Sequence, residues 1–260
     1  YLEDIQMYGL SFNTSTDSGF SIAGEMTYRK DEPIQIDDVE LLFATLEPVG
    51  SIPSGTSQIP GGTAPGGEIS GYRLFDTVQA QMTFTKFMGP TFGADQWVLL
   101  GEVGMNQIQD MPDQDEMRFE ASGTVRSGNP DRAGRGSGFI SPGSVCSLGG
   151  APVECEGVET NPFADDFSWG YRLRTALDYN DVFAGVNLTP TLSWSHDVSG
   201  YAPEPGGNFI QGRKSVGLAL KAVYLNQYSA NVSYTNYFGG KPYNLLNDRD
   251  NIALSVAYSF

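Results

Sequence analysis

Residues 251–260, NIALSVAYSF, alternate without a break. Ile252, Leu254, Val256, Tyr258 and Phe260 are apolar, and the residues between them are small or polar. Side chains on a strand point to alternate faces, so this pattern predicts a strand with one greasy side and one wettable side. Eight earlier segments repeat it, at about residues 4–13, 20–30, 72–87, 96–107, 168–180, 186–198, 215–225 and 228–237. In the third, Val78, Ala80, Met82 and Phe84 oppose Thr77, Gln79, Gln81, Thr83 and Thr85. In the fifth, Trp169, Tyr171, Leu173, Leu177 and Tyr179 oppose Ser168, Arg172, Arg174 and Asp178. Pro190 lies inside the sixth and cannot donate to a ladder, which predicts a bulge there. Each segment has about the length a tilted strand needs to cross a bilayer.

A soluble sandwich covers a greasy face with a second sheet, whereas a membrane barrel turns it to lipid. Two features favour the barrel. Connections alternate between short ones (13–19, 88–95, 181–185, 226–227) and longer ones (30–71, 108–167, 199–214, 238–250), as periplasmic turns and outside loops do. Aromatics fall in two belts: Phe12, Phe20, Phe84, Trp97, Tyr179, Tyr224, Tyr228, Tyr258 and Phe260 toward the short turns, and Tyr28, Trp169, Tyr171, Trp194 and Tyr234 toward the long loops. The expected fold is therefore all-β, a transmembrane antiparallel β-barrel with about nine strands visible in this chain. Residues 1–260 form a single barrel domain with long extracellular loops at about 31–71 and 108–167. An odd count that begins at the outside end points to the carboxy-terminal part of a larger barrel, closed by another piece of the same protein or by another chain.

Composition agrees with this picture. Among 260 residues there are 32 Gly, 13 Tyr and 15 Phe, which suits short strands and turns. A mean hydropathy of −0.26 is compatible with membrane strands, because alternation averages out. The net charge of −16, from 31 acidic and 15 basic residues, argues against nucleic acid as a partner. Cys146 and Cys155 would close a small disulfide loop in an oxidising compartment. No Cys-x-x-Cys spacing supports a metal or redox pair instead.

Charges are few on the parity expected to face the lumen. Glu25, Arg29, Glu102, Arg172, Arg174 and Lys221 are the candidates for a constriction, with Glu102 able to reach Arg172 or Arg174 across the ladder. Simple neutralisation inside the wall is the plainer role for them. Carboxylates cluster at Asp110, Asp113, Asp115, Glu116 and Glu120, and again at Glu154, Glu156, Glu159, Asp165 and Asp166. Clustered carboxylates can bind calcium through their oxygens, but this spacing matches no EF-hand loop, and a solvated face is the plainer reading. Residues 33–46, PIQIDDVELLFATL, look helical, with Ile36, Val39, Leu42, Phe43 and Leu46 on one face, and are expected to pack on the barrel rim or plug its mouth. His196, the single histidine, shares parity with Trp194, whereas Ser195 points the other way. That opposition argues against a Ser-His lipid-modifying enzyme, and no cofactor motif is present.

The opening YLEDIQMYGLSFNTS, the stretch GEMTYRKDEPIQID at residues 24–37 and the ending NIALSVAYSF resemble domain of unknown function family 1302, a family of Gram-negative outer-membrane proteins. The resemblance covers the carboxy-terminal part of a longer member. It implies an integral outer-membrane protein, inserted by the barrel assembly machinery, with Val256, Tyr258 and Phe260 as the assembly signal. Outer-membrane lipid and lipopolysaccharide, together with periplasmic transport partners, come with it, and catalytic residues do not. The expected function is a channel or transporter for small hydrophobic or amphipathic compounds. The alternative is a structural or surface-interaction barrel that uses its long acidic loops.

Overall fold

A computed structural model describes residues 5–51, 57–59, 66–114, 116–122, 163–241 and 243–260. Nine strands form where the alternation lies: β1 (Gln6–Ser15), β2 (Phe20–Gln35), β3 (Tyr72–Met88), β4 (Gln96–Ile108), β5 (Phe167–Phe183), β6 (Val186–Ser199), β7 (Lys214–Tyr224), β8 (Tyr228–Phe238) and β9 (Asn251–Tyr258). Each pairs antiparallel with the next in a single sheet of order β1 to β9. β1 and β9 are its two edges, so the sheet is open. No described helix is long and apolar enough to cross a membrane.

Register places the apolar parity of every strand on one face. One ladder row there reads Leu10, Met26, Ala80, Met105 and Trp169. Another reads Leu192, Leu218, Tyr234 and Ile252. Among the described residues no protein layer lies over this face: Leu218 is 55% exposed, Leu254 75% and Val256 77%. The opposite face carries Thr83, Glu102, Arg172, Ser195 and Ser215 in one row.

The buried core lies at the long-connection end, on the polar side of the sheet. Ile34, Ile36 and Ile108 come from strand ends, and Phe119, Ala121, Ala164, Tyr201 and Ile210 from the connections. Bridges Ile36↔Phe119 and Ala121↔Pro203 stitch three connections together. Backbone bonds from Ala164 to Phe119 and from Asp165 to Tyr201 add the fourth edge of this cap. Burying apolar loop side chains together satisfies the loops without covering the outer face of the strands.

Local details differ from the sequence expectations. Pro190 stays in register with Leu220, and the pairings Ala176↔Thr191 and Tyr179↔Leu188 keep one register on its other side. The missing N–H removes a ladder bond without inserting a residue. Register shifts occur instead between Trp169 and Gly170, between Tyr179 and Phe183, and between Arg29 and Glu32. The segment expected to be helical from residue 33 is strand to Gln35, and α1 runs only over Asp38–Leu46. Its buried residues are Glu40, Phe43 and Ala44, while Leu42 is exposed. The β7–β8 connection is residues 225–227, one longer than the expected 226–227, with Leu225 and Asn226 both at positive φ and the Gln227 amide donating to the Tyr224 carbonyl. Two such residues form the primed turn whose twist matches a hairpin.

Candidate functional site

The connection from β6 to β7, residues 200–213, does not project away from the sheet but folds back over its polar face. Gly200 starts the fold at φ +80°, where an added Cβ would lie 2.1 Å from the Phe167 carbonyl oxygen. Only glycine permits both the left-handed turn and that approach. Phe209 then rests over a notch made by two facing glycines. A Cβ on Gly104 would lie 3.6 Å from its ring, and one on Gly170 would lie 3.1 Å from it. These two glycines are direct cross-strand partners.

Asp197 holds the loop in place. Its carboxylate is 1% exposed and accepts from Arg172 Nη2 at 2.7 Å, Arg213 Nε at 2.6 Å and the Ile210 amide at 3.2 Å. Its own carbonyl accepts from the Gly212 amide, and its amide donates to the Arg213 carbonyl. One buried carboxylate thus receives two guanidiniums and a loop amide, a charge-assisted network stronger than neutral bonds of the same number.

Beneath the loop are two adjoining hollows that share Gln79 and Asn208. One of about 240 Å³ is walled by Arg29, Glu32, Thr77 and Asn106 from the sheet and by Ala202, Pro203 and Pro205 from the loop. The other, of about 220 Å³, lies among Gln81, Glu102, Arg172 and Phe209. Both walls mix polar and apolar groups: Pro33 and Ile34 join the sheet side of the first hollow, and Glu204 and Asn208 join the loop side. Larger troughs of about 660 and 460 Å³ lie elsewhere, open among apolar-face residues such as Leu192, Leu218 and Met26.

The six charged positions singled out in the sequence are not all gathered here. Arg29, Glu102 and Arg172 line the hollows. Arg29 donates to Gln79 and lies 3.8 Å from Glu32. Glu102 and Arg172 are cross-strand partners as expected, but Arg172 gives its ion pair to Asp197, and Glu102 accepts only a 3.4 Å bond from Thr83 among the described residues. Glu25, Arg174 and Lys221 are exposed outside the hollows. Glu25 falls on the ladder row of Gly104, Arg174 on that of Leu100, and Lys221 on that of Gln96. The six therefore occupy several ladder rows.

Asp197 was missed. Its sequence signal is an inward-parity acid at the end of a strand, two positions from Ser195, the cross-strand partner of Arg172. Ser195 and His196 do lie on opposite faces. Ser195 bonds Ser215 at 2.7 Å on the polar side, and the His196 ring sits 5.6 Å from Tyr171 and 6.4 Å from Trp194 on the apolar side.

Over the cap, Asp110, Asp113 and Glu116 are exposed as expected, but Glu120 turns inward and is buried. Asp115, Glu154, Glu156, Glu159, Cys146 and Cys155 lie outside the described residues. Burial pushes the Asp37 carboxyl from 3.8 up to about 8, with the Glu120 charge beside it adding to the rise. Burial likewise raises Glu120 to about 7. A carboxyl whose pKa rises on folding stabilises the fold fully below its unfolded value, and that contribution is lost as pH passes the folded value. In chelator, protection of the amides at residues 36–46 and 117–122, taken relative to their intrinsic exchange rates, is therefore expected to be markedly higher at pH 5 than at pH 9. Equal protection at both pH values would contradict this.

The family model described as "Protein of unknown function (DUF1302)" matches residues 1–260. The chain belongs to the DUF1302 family. No curated protein and no solved structure matches it. For this DUF1302 chain the site rests on its own geometry: an inward loop, its Asp197 anchor, and the hollows between loop and sheet.

Proposed function

We propose that this DUF1302 chain is wall and constriction of an outer-membrane β-barrel that passes small hydrophobic or amphipathic compounds. The observation that carries the reading is a sheet with an uncovered apolar face and a polar face narrowed by a seated loop. Water penalises the first, and hydrocarbon accepts it. On β5, Trp169 and Tyr171 stand eight to ten residues from Tyr179. At about 3.4 Å per residue and a tilt near 40°, that separates the belts by about 21–26 Å, the height of an outer-membrane apolar band. Tyr224, Tyr228, Tyr258 and Phe260 form a ring-to-ring row at the short-turn end, with centroids 4.9–6.3 Å apart. Lys86 lies 4.5 Å over Phe20 at the same end, where a long cationic side chain reaches interfacial water.

On this reading the open edges β1 and β9 are closed by further strands, and lipid and lipopolysaccharide cover the apolar face. Val256, Tyr258 and Phe260 serve the barrel assembly machinery, and periplasmic partners deliver or receive the solute. The protein performs no covalent chemistry and needs no cofactor. The hollows set charged and amide groups beside Pro203, Pro205 and Phe209, a mixture that an amphipathic solute matches.

The test is flux. In liposomes carrying the full-length protein, Phe209→Ala is expected to raise uptake of small amphipathic solutes several-fold over wild type, because the ring no longer occupies the Gly104–Gly170 notch. Wild-type liposomes no more permeable than empty ones, for any solute tried, would end the channel reading.

A further inference from the structure

We propose that Asp37, Asp38 and Glu120 form a divalent-cation site in the loop cap, with the size and chemistry that calcium takes. One carboxylate oxygen from each lies within 4.8 Å of the others. Calcium–oxygen distances are 2.3–2.6 Å, so oxygens around one calcium stand up to about 5 Å apart, whereas magnesium limits them to about 4.2 Å. Three oxygens inside that bound fit around one calcium ion.

The orphan oxygen is the second observation. Asp37 is fully buried. Its Oδ1 accepts from the Glu40 amide at 3.1 Å and so caps α1. Its Oδ2 is buried with no hydrogen-bond partner among the described residues. The cap therefore explains one oxygen of Asp37 and leaves the other unexplained. Buried polar atoms without partners are rare, and a bound ion is one standard reason for them.

The surroundings fit a cation as well. Among the described residues, the charged groups acting on Asp37 are Glu120, Glu40 and Asp38, and those acting on Glu120 are Asp38 and Glu204. All are acidic. Glu120 uses Oε2 to accept from the Asp38 amide at 2.8 Å, which fixes its carboxylate beside the other two. Asp38 is exposed, so an ion reaches the site from solvent, and water completes the six to eight ligands that calcium takes. The ligands come from two connections, 82 residues apart between Asp38 and Glu120, next to the bridge Ile36↔Phe119. A bound ion would staple the first long loop to the second. The site does not depend on the channel reading.

Calorimetric titration of chelator-stripped protein with calcium chloride tests this, with proteolysis of the cap as a second readout. Wild type is expected to bind calcium and to become more protease-resistant at residues 36–51 and 109–122. Asp38→Asn, at an exposed position, and Asp37→Asn, which keeps the helix cap, are each expected to weaken binding about tenfold or more. Asp113→Asn, exposed in the connection that carries Glu120, should leave it unchanged. No binding by wild type would overturn the proposal. So would wild-type affinity in both Asp37→Asn and Asp38→Asn, which would place the ion elsewhere.

Discussion

Replacing Asp197 with alanine is expected to release residues 200–213 from the polar face. The substitution removes the common acceptor of Arg172, Arg213 and the Ile210 amide in one step. Breaking a buried ion pair from one side typically costs about 3–5 kcal/mol, because the partner charge stays behind. Here the lower end applies. Arg172 is 39% and Arg213 21% exposed, so water takes over part of the lost interaction. About 3 kcal/mol of local stability corresponds to on the order of a hundredfold faster hydrogen exchange across the loop. Solute flux should rise with it. Asp197→Asn keeps an acceptor for the Ile210 amide but not the charge, and should fall between alanine and wild type. Loop exchange unchanged in Asp197→Ala would show that the apolar cap around Ile210 and Tyr201 holds the loop without its anchor.

The second large effect concerns the face that nothing covers. Leu218 sits near the middle of β7, between Leu192 and Tyr234 on the apolar side. If hydrocarbon lies against it, Leu218→Arg should cost about 2–4 kcal/mol near the bilayer centre. If water lies against it, an exposed substitution should cost under about 0.5 kcal/mol. Ser233→Arg on the polar face provides the comparison and should be mild in either case. Denaturant titration of folding into lipid vesicles separates the outcomes. Leu218→Arg behaving like Ser233→Arg would remove the physical basis for placing this sheet in a membrane.

The strands were legible because a strand's period involves only neighbours along the chain. The alternation of β9 reads directly as Ile252, Leu254 and Val256 on one side, and each is more than 70% exposed. Where local signals compete, boundaries moved. Ile36 fits a helical stripe on paper, yet it bridges as extended chain because Phe119 stands opposite it. Proline 190 carried a real loss of a donor, but strands paired on both sides held its register.

The candidate site was only half legible, and the reason is reach. Arg172 was readable as an inward charge, since parity alone places it. Its partner was not: Asp197 lies 25 residues on, and Glu102 stood directly opposite as the nearer choice. Only the fold-back of the loop brings Arg213 to the other side of Asp197 and makes that carboxylate the better acceptor. Acidic residues between 109 and 122 looked alike in the chain, but among those described Glu120 alone turns inward to meet the helix cap.

From its alternation alone, this chain determined nine strands, their antiparallel order, the two unlike faces and the end that bears the long connections. These follow from backbone period and turn length, which act over a few residues. Tertiary structure decided where the connections go: onto the polar face, around a shared apolar cap, with Phe209 in a glycine notch and three carboxylates drawn together. Those contacts join residues far apart in sequence, and their energies depend on burial that no local pattern encodes.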